Sequence, residues 1–231
     1  MSNQEVFSSQ NALRFGFDAF KENAGYCMML MLAVEAISVI SAAALAANLT
    51  IAAMLIMQLD VPPPDTFFYS FLVIYMLVRT LMNVPLSKAF LMLSDGRKIS
   101  ADELLGFDTI YYMPAFFRFL AANFIFAFYT LFGTFLLIVP GIFVAANLRY
   151  FKFFIVDQNT DAVESLRESY EIAGNKKPEL VSFFIATSLI KAAGLLCLGV
   201  GVIPASAICT LAEAFAYKTL LEQADSLPQH S

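Results

Sequence analysis

Polar positions in this chain come in short bunches between long apolar runs, and the bunches have helical spacing. Residues 7–23 (FSSQNALRFGFDAFKEN) place Leu13, Phe17 and Phe20 on one side of a helix, with Arg14 and Asp18 one turn apart on the wetter side. That pattern predicts an amphipathic helix lying at a membrane surface. The run from Gly25 to Ala47 is long enough to cross a bilayer, which takes about 20 residues. Within it Ser38, Ala42 and Ala46 recur every fourth residue, a small-residue row suited to close helix contact. Residues 48–59 either extend this helix or bend along the far surface, and the prolines of 61–64 end it in both cases.

A second apolar segment runs from Phe67 to Leu93 with Arg79 near its middle, and Pro85 predicts a bend around residues 81–85. After the polar turn 94–100, residues 101–113 repeat the amphipathic theme with Leu104, Leu105, Phe107 and Ile110. Pro114 is expected as the first residue of the next helix, which continues to a tight apolar turn at Val139-Pro140-Gly141. The returning segment, Ile142 to Val156, ends in LRYFKFFIVD, where Arg149 and Lys152 are expected to snorkel while Tyr150, Phe151 and Phe153 sit near headgroups. Asp161 with Glu164 predicts a helix N-terminal box, and Gly174 the left-handed stop of that helix. Two last apolar runs, Leu180–Val200 and Ile203–Leu221, meet at a turn containing Gly199 and Gly201, with Pro204 starting the second.

The pattern therefore predicts an all-α polytopic membrane bundle of six spanning helices with three interfacial helices. It forms one membrane domain, 1–225, and a polar tail, 226–231. An interfacial helix followed by an apolar hairpin recurs over 7–94, 99–157 and 160–224, either as a threefold repeat or as the ordinary look of a six-span protein. Placing the N-terminus inside gathers Arg14, Lys21, Arg97, Lys98, Arg118, Lys152, Arg167, Lys176, Lys177 and Lys218 on the cytoplasmic side. The opposite connections, 59–66, 138–141 and 199–203, contain no Lys or Arg, which predicts both termini in the cytoplasm.

Composition agrees with a membrane chain. It is 59% hydrophobic and 14% charged, with mean hydropathy +0.71, against roughly a quarter charged in soluble domains. A net charge of −5 argues against a nucleic-acid partner, which would meet a basic stripe. About two dozen amphipathic residues precede the first apolar run and Glu35 interrupts it, so no cleaved signal peptide is expected. Cys27, Cys197 and Cys209 match no metal-site spacing and are expected as small buried hydrophobes, while the single histidine, His230, lies in the polar tail. No zincin, P-loop or nucleophile-elbow motif is present, so no catalytic residue, metal or cofactor is assigned. The acidic run 161–171 reads as a solvated helix face, with Ser165 and Ser169 contacting headgroups.

LLIVPGIFVAANLRYFKFFIVDQ followed by AVESLRESYEIAGNKKPEL, with a terminal hairpin of Gly-x-Gly, Pro and an aromatic-Tyr pair, resembles a group of bacterial multi-spanning proteins without an agreed activity. The group includes the YciC-like inner-membrane proteins and the membrane domain attached to some glycerophosphodiester phosphodiesterases. The resemblance covers about residues 85–220, its most specific part being Ile138 to Gly174. It implies a six-helix protein of the bacterial inner membrane and brings no catalytic residues. Phosphodiesterase chemistry is not expected, because the resemblance touches the membrane part alone.

Four ionisable residues fall inside predicted spans: Glu35, Arg79, Lys191 and Glu213. Charges at such depth normally face a partner or a wet cavity, so they are the candidate sites. Lys191 and Glu213 lie at matching distances from the Gly199–Gly201 turn and are expected to pair, in which case losing Lys191 alone should impair folding. Glu35 reaches the depth of Arg79 only if the first helix ends near Ala47. These pairs either fix helix register or line a polar pathway or lipid-headgroup cavity. Two functions follow: a non-enzymatic membrane protein that organises lipid or protein partners, as a homo-oligomer, or a transporter or lipid-handling protein that uses the buried charges.

Overall fold

The computed structural model describes residues 7–59, 65–97, 109–136, 138–196 and 201–226. These form the helices α1 (Ser9–Glu22), α2 (Ala24–Leu59), α3 (Asp65–Ser94), α4 (Thr109–Leu136), α5 (Ile138–Leu148), α6 (Phe151–Asp157), α7 (Ala162–Ile172), α8 (Lys177–Leu196) and α9 (Val202–Ser226). Among the described residues, four stretches are long and apolar enough to cross a membrane, Val73–Ser94, Met113–Phe135, Val139–Asp157 and Lys177–Leu196. The chain thus has the length and apolar character of a helical membrane protein.

The last helix is the hub. Ala205, Ala207, Ala212, Ala214 and Ala216 of α9 are buried, and their small side chains let α1, α2, α3 and α8 pack round one axis. Contact between α1 and α9 is the most extensive in the molecule. It is close because Gly16 lies on it: a Cβ there would sit 2.5 Å from the Ile208 carbonyl oxygen and 2.9 Å from Ala212. The N-terminal helix turns Leu13 and Phe20 to the bundle and stacks Phe15 on Phe215 at 4.3 Å, whereas Phe17, expected on the same side, stays exposed with Lys21 over its ring.

Two hairpins are closed by glycines near their tips. A Cβ on Gly141 would lie 2.8 Å from the Thr134 backbone, and one on Gly133 would lie 3.1 Å from Gly141 Cα, so α4 and α5 touch backbone to backbone. Gly194 of α8 meets Gly201 and Ala205 in the same way, at 2.6 Å and 3.0 Å. Small residues allow such approach between apolar helices without any hydrophobic force to hold them.

Several boundaries depart from the sequence expectation. Residues 48–59 extend the first long helix, so α2 runs unbroken for 36 residues, about 54 Å at 1.5 Å per residue. Pro114 lies inside α4 instead of starting it, which makes 109–113 part of that helix; Leu104, Leu105 and Phe107 lie outside the described residues. Pro140 and Gly141 are not the turn between α4 and α5 but belong to the first turn of α5, where a missing N–H is harmless because that N–H has no helical acceptor. Pro204 occupies the same place in α9, and Pro85 is carried inside α3. Gly174 has φ +42° and stops α7 as expected, whereas Gly199 lies outside the described residues. Of the small-residue row on α2, Ala46 is exposed and so does not pack on another helix of the described chain; the side chains of Ser38 and Ala42 lie outside what is described. Cys27 and Cys209 are buried, and Cys197 falls outside the described residues.

Candidate functional site

The third apolar stretch is broken. Between α5 and α6 the chain turns at Arg149 and Tyr150, which leaves backbone groups without helical partners inside the bundle. Ser169, fully buried on α7, restores two of those bonds: its hydroxyl donates to the Asn147 carbonyl oxygen at 2.9 Å and accepts from the Tyr150 N–H at 3.1 Å. Ser165, one turn earlier, is equally buried and donates to the Ala162 carbonyl oxygen at 2.9 Å. Both serines therefore face the core, not headgroups, because α7 presents Ser165, Leu166, Ser169 and Ile172 as its buried side. The aromatic residues around the break are core as well: Tyr150, Phe151, Phe153 and Phe154 are buried, and Tyr217 stacks on Phe153 and meets Phe154 edge-on.

The break re-aims two cations. Arg149 and Lys152 do not snorkel; both reach the carboxylate of Glu213, whose side chain is 1% exposed on α9. The Arg149 guanidinium pairs with Glu213 Oε1, and Lys152 Nζ lies 2.5 Å from Oε2. Lys191 of α8 stands 3.5 Å from Oε1 and is the outermost of the three, at 39% exposure against 12% for Arg149 and 25% for Lys152. A second bond from Arg149 goes to Thr187 Oγ1 at 3.2 Å, and its guanidinium lies over the Phe184 ring at 5.2 Å. Cys209 closes the floor by donating its thiol to the Thr187 carbonyl oxygen at 3.5 Å. Three formal positive charges thus surround one buried negative charge. Flanking Arg149 in the chain, Asn147 Oδ1 and Tyr150 Oη are buried without a hydrogen-bond partner.

Of the four charged residues singled out by sequence, the structure joins two, Lys191 and Glu213. Glu35 is half-buried on α2, and the unbroken helix removes the condition on which its match to Arg79 rested. Arg79 is exposed on α3, where it donates to Tyr75 Oη at 3.2 Å one turn away. Arg149 and Lys152 were missed because an Arg and a Lys at the end of an apolar run normally point to water. Asn147, an amide inside that run and two residues before the arginine, is the one local signal that the helix does not simply continue.

Other polar ties gather at the opposite ends of these helices. Arg118 of α4 holds the α6–α7 joint, donating to the Asn159 carbonyl oxygen at 2.7 Å and pairing with Asp161 at 3.1 Å. Asp161 is the N-cap residue of α7, yet its carboxylate goes to Arg118 instead of the helix N–H groups, so the expected N-terminal box does not form. Tyr217 donates to Asp157 at 3.0 Å, and Lys218 pairs with Asp95 at the end of α3. On α7, burial pushes the Glu168 carboxyl up from its ordinary pKa, and Glu164 and Glu171 push it further. Among the described residues, no group of three or more His, Cys, Asp or Glu side chains is placed to hold a metal ion.

Comparison with protein-family models, curated proteins and solved structures finds no match to this chain. What the geometry defines is a helical membrane-type bundle with a buried, net-positive charge cluster beside a broken helix.

Proposed function

We propose that the chain is a non-enzymatic integral membrane protein of the bacterial inner membrane, with six spans and both termini in the cytoplasm, that handles an anionic ligand at the Arg149–Lys152–Lys191 cluster. The proposal keeps the resemblance to the YciC-like proteins as a matter of architecture. One observation carries it: three cations share the single carboxylate of Glu213. One cation suffices to neutralise a buried carboxylate and fix helix register. Each further charge held away from water costs several kcal/mol unless something balances it. An anionic group resting against the half-exposed Lys191 would supply that balance.

Depth supports the same reading. Arg149, in the turn that follows α5, and Glu213 of α9 lie eleven residues on from Ile138 and from Val202, about 16 Å from the hairpin tips. Ser169 of the amphipathic α7 bonds to Asn147 and Tyr150 on either side of Arg149, so the cluster stands at the level of α7, where an amphipathic helix meets headgroups. Arg offers a fork and Lys a point charge, a combination that suits phosphate.

The test uses full-length protein in nanodiscs of phosphatidylcholine. Inorganic phosphate and phosphatidic acid are added separately, and thermal stability is followed for wild type and Lys191→Met. Stabilisation by either probe that is lost in Lys191→Met supports the site; stabilisation by phosphatidic acid alone assigns a lipid headgroup, and by both a free phosphate group. Equal responses of wild type and variant to both probes would overturn the reading. The partner-organising alternative draws on the aromatic face of α4, where Phe117, Phe124, Phe128, Phe132 and Phe135 are exposed, and predicts a stable homo-oligomer in the same nanodiscs.

A further inference from the structure

A second feature shares no lining residue with the Glu213 cluster. Between α4, α5 and α7 lies a cavity of about 940 Å³, walled by Phe124, Phe128 and Tyr129 of α4 and Val144 and Leu148 of α5 and roofed by Leu166 and Tyr170 of α7. Its walls are apolar apart from two tyrosine hydroxyls and one charged group, Arg167. The volume falls at the upper end of the roughly 300–1,000 Å³ typical of ligand sites.

The surroundings choose the occupant. Phe124, Phe128 and Tyr129 are more than half exposed on the stretch Met113–Phe135, so the cavity opens sideways, where a bilayer would place acyl chains. Its roof is the amphipathic α7, which brings Arg167, the one charged residue of the lining, to that edge. Arg167 is 76% exposed and uses Nε for Glu171 at 2.7 Å, which leaves the remaining guanidinium donors for another acceptor. Lys177 lies 3.8 Å over the ring of Tyr170, bringing a second cation to the same mouth. A helix of a second copy, about 10 Å across, would fill the cavity within two turns and cover the charge of Arg167, which is 76% exposed, whereas a lipid leaves that charge at the surface.

We propose that this groove holds an anionic glycerophospholipid, with one acyl chain between α4 and α5 beneath α7 and the phosphate on Arg167 and Lys177. The site would make α7 a clamp for bilayer lipid of the leaflet it faces. The inference rests on the membrane placement proposed above and is independent of the anion reading of the Glu213 cluster.

Full-length protein is exchanged into mixed micelles containing phosphatidylglycerol or phosphatidylcholine, and retained lipid is counted by native mass spectrometry for wild type, Arg167→Gln and Val144→Trp. Wild type should retain about one phosphatidylglycerol per chain in preference to phosphatidylcholine. Arg167→Gln should cut that preference about tenfold, the scale of one charge-assisted bond, and Val144→Trp, which fills the groove, should lower retention of both lipids. Folding of each variant is checked by its melting temperature, and Arg167, being exposed, gives a variant that folds if the groove variant does not. Equal retention of the two lipids by wild type, or no change in Arg167→Gln, would overturn the proposal. So would a loss of oligomers in Val144→Trp with lipid retention intact, which would place a second copy in the groove. The phosphate response of Lys191 measured on the same samples separates failure of this groove from failure of the Glu213 site.

Discussion

Replacing Glu213 by Gln keeps the shape of the side chain and removes the one negative charge that three cations share. At an effective dielectric constant of about 20, a unit pair at the 2.5 Å of Lys152 is worth roughly 7 kcal/mol and one at the 3.5 Å of Lys191 roughly 5 kcal/mol, before desolvation is subtracted. Breaking a buried pair costs a net amount of about 3–5 kcal/mol, and for a domain of this size each kcal/mol moves the melting temperature by about 2–4 °C. Glu213→Gln should therefore melt about 6–20 °C below wild type. Lys191→Met should behave differently. Arg149 and Lys152 sit on the same carboxylate, and their repulsion of Lys191 offsets part of the attraction that Glu213 exerts on it. Its loss should leave the melting temperature within about 3 °C or raise it, contrary to a simple two-member pair. Adding Arg149→Met and Lys152→Met to Glu213→Leu should recover most of the loss. The chain has no tryptophan, but Cys27 and Cys209 are buried, so a thiol-reactive dye reports unfolding in detergent. Melting of Glu213→Gln within 2 °C of wild type, or of Lys191→Met as low as Glu213→Gln, would refute this account of the cluster.

Three further perturbations probe the parts that build the site. Ser169→Ala strips a buried acceptor from Tyr150 N–H and a donor from the Asn147 carbonyl; it should cost about 1–3 kcal/mol, and faster hydrogen exchange at 147–153 is the measurement to make. Gly16→Ala forces a Cβ against the Ile208 carbonyl, so α1 should loosen from α9 at about 1–3 kcal/mol and become open to limited proteolysis; unchanged proteolysis would mean α1 is free to shift. Glu168 has a raised folded-state pKa, so it disfavours the fold increasingly as pH rises through that value. Glu168→Gln should accordingly melt above wild type at pH 8, with the difference vanishing below the ordinary carboxylate range; a constant difference across pH would contradict the assigned cause.

What the sequence determined on its own was what local periodicity controls. Apolar runs with polar bunches between them dictate helices, and the limits of α1 and α7 follow from amphipathic spacing and a left-handed glycine at 174. The approach of Lys191 to Glu213 was legible too, because depth on either side of one hairpin is counted along the chain. Tertiary structure decided the rest. Gly133 looks like an isolated interruption and Gly141 like part of a turn until α4 and α5 bring them together. No breaker residue announces the turn at Arg149–Tyr150; it persists because a serine some twenty residues later replaces the lost backbone bonds. That turn sends Arg149 and Lys152 inward, where the apolar run alone would send them to water. A side chain's preference for water is a property of its residue type, but whether it reaches water depends on which helix lies beside it, and no local pattern carries that information.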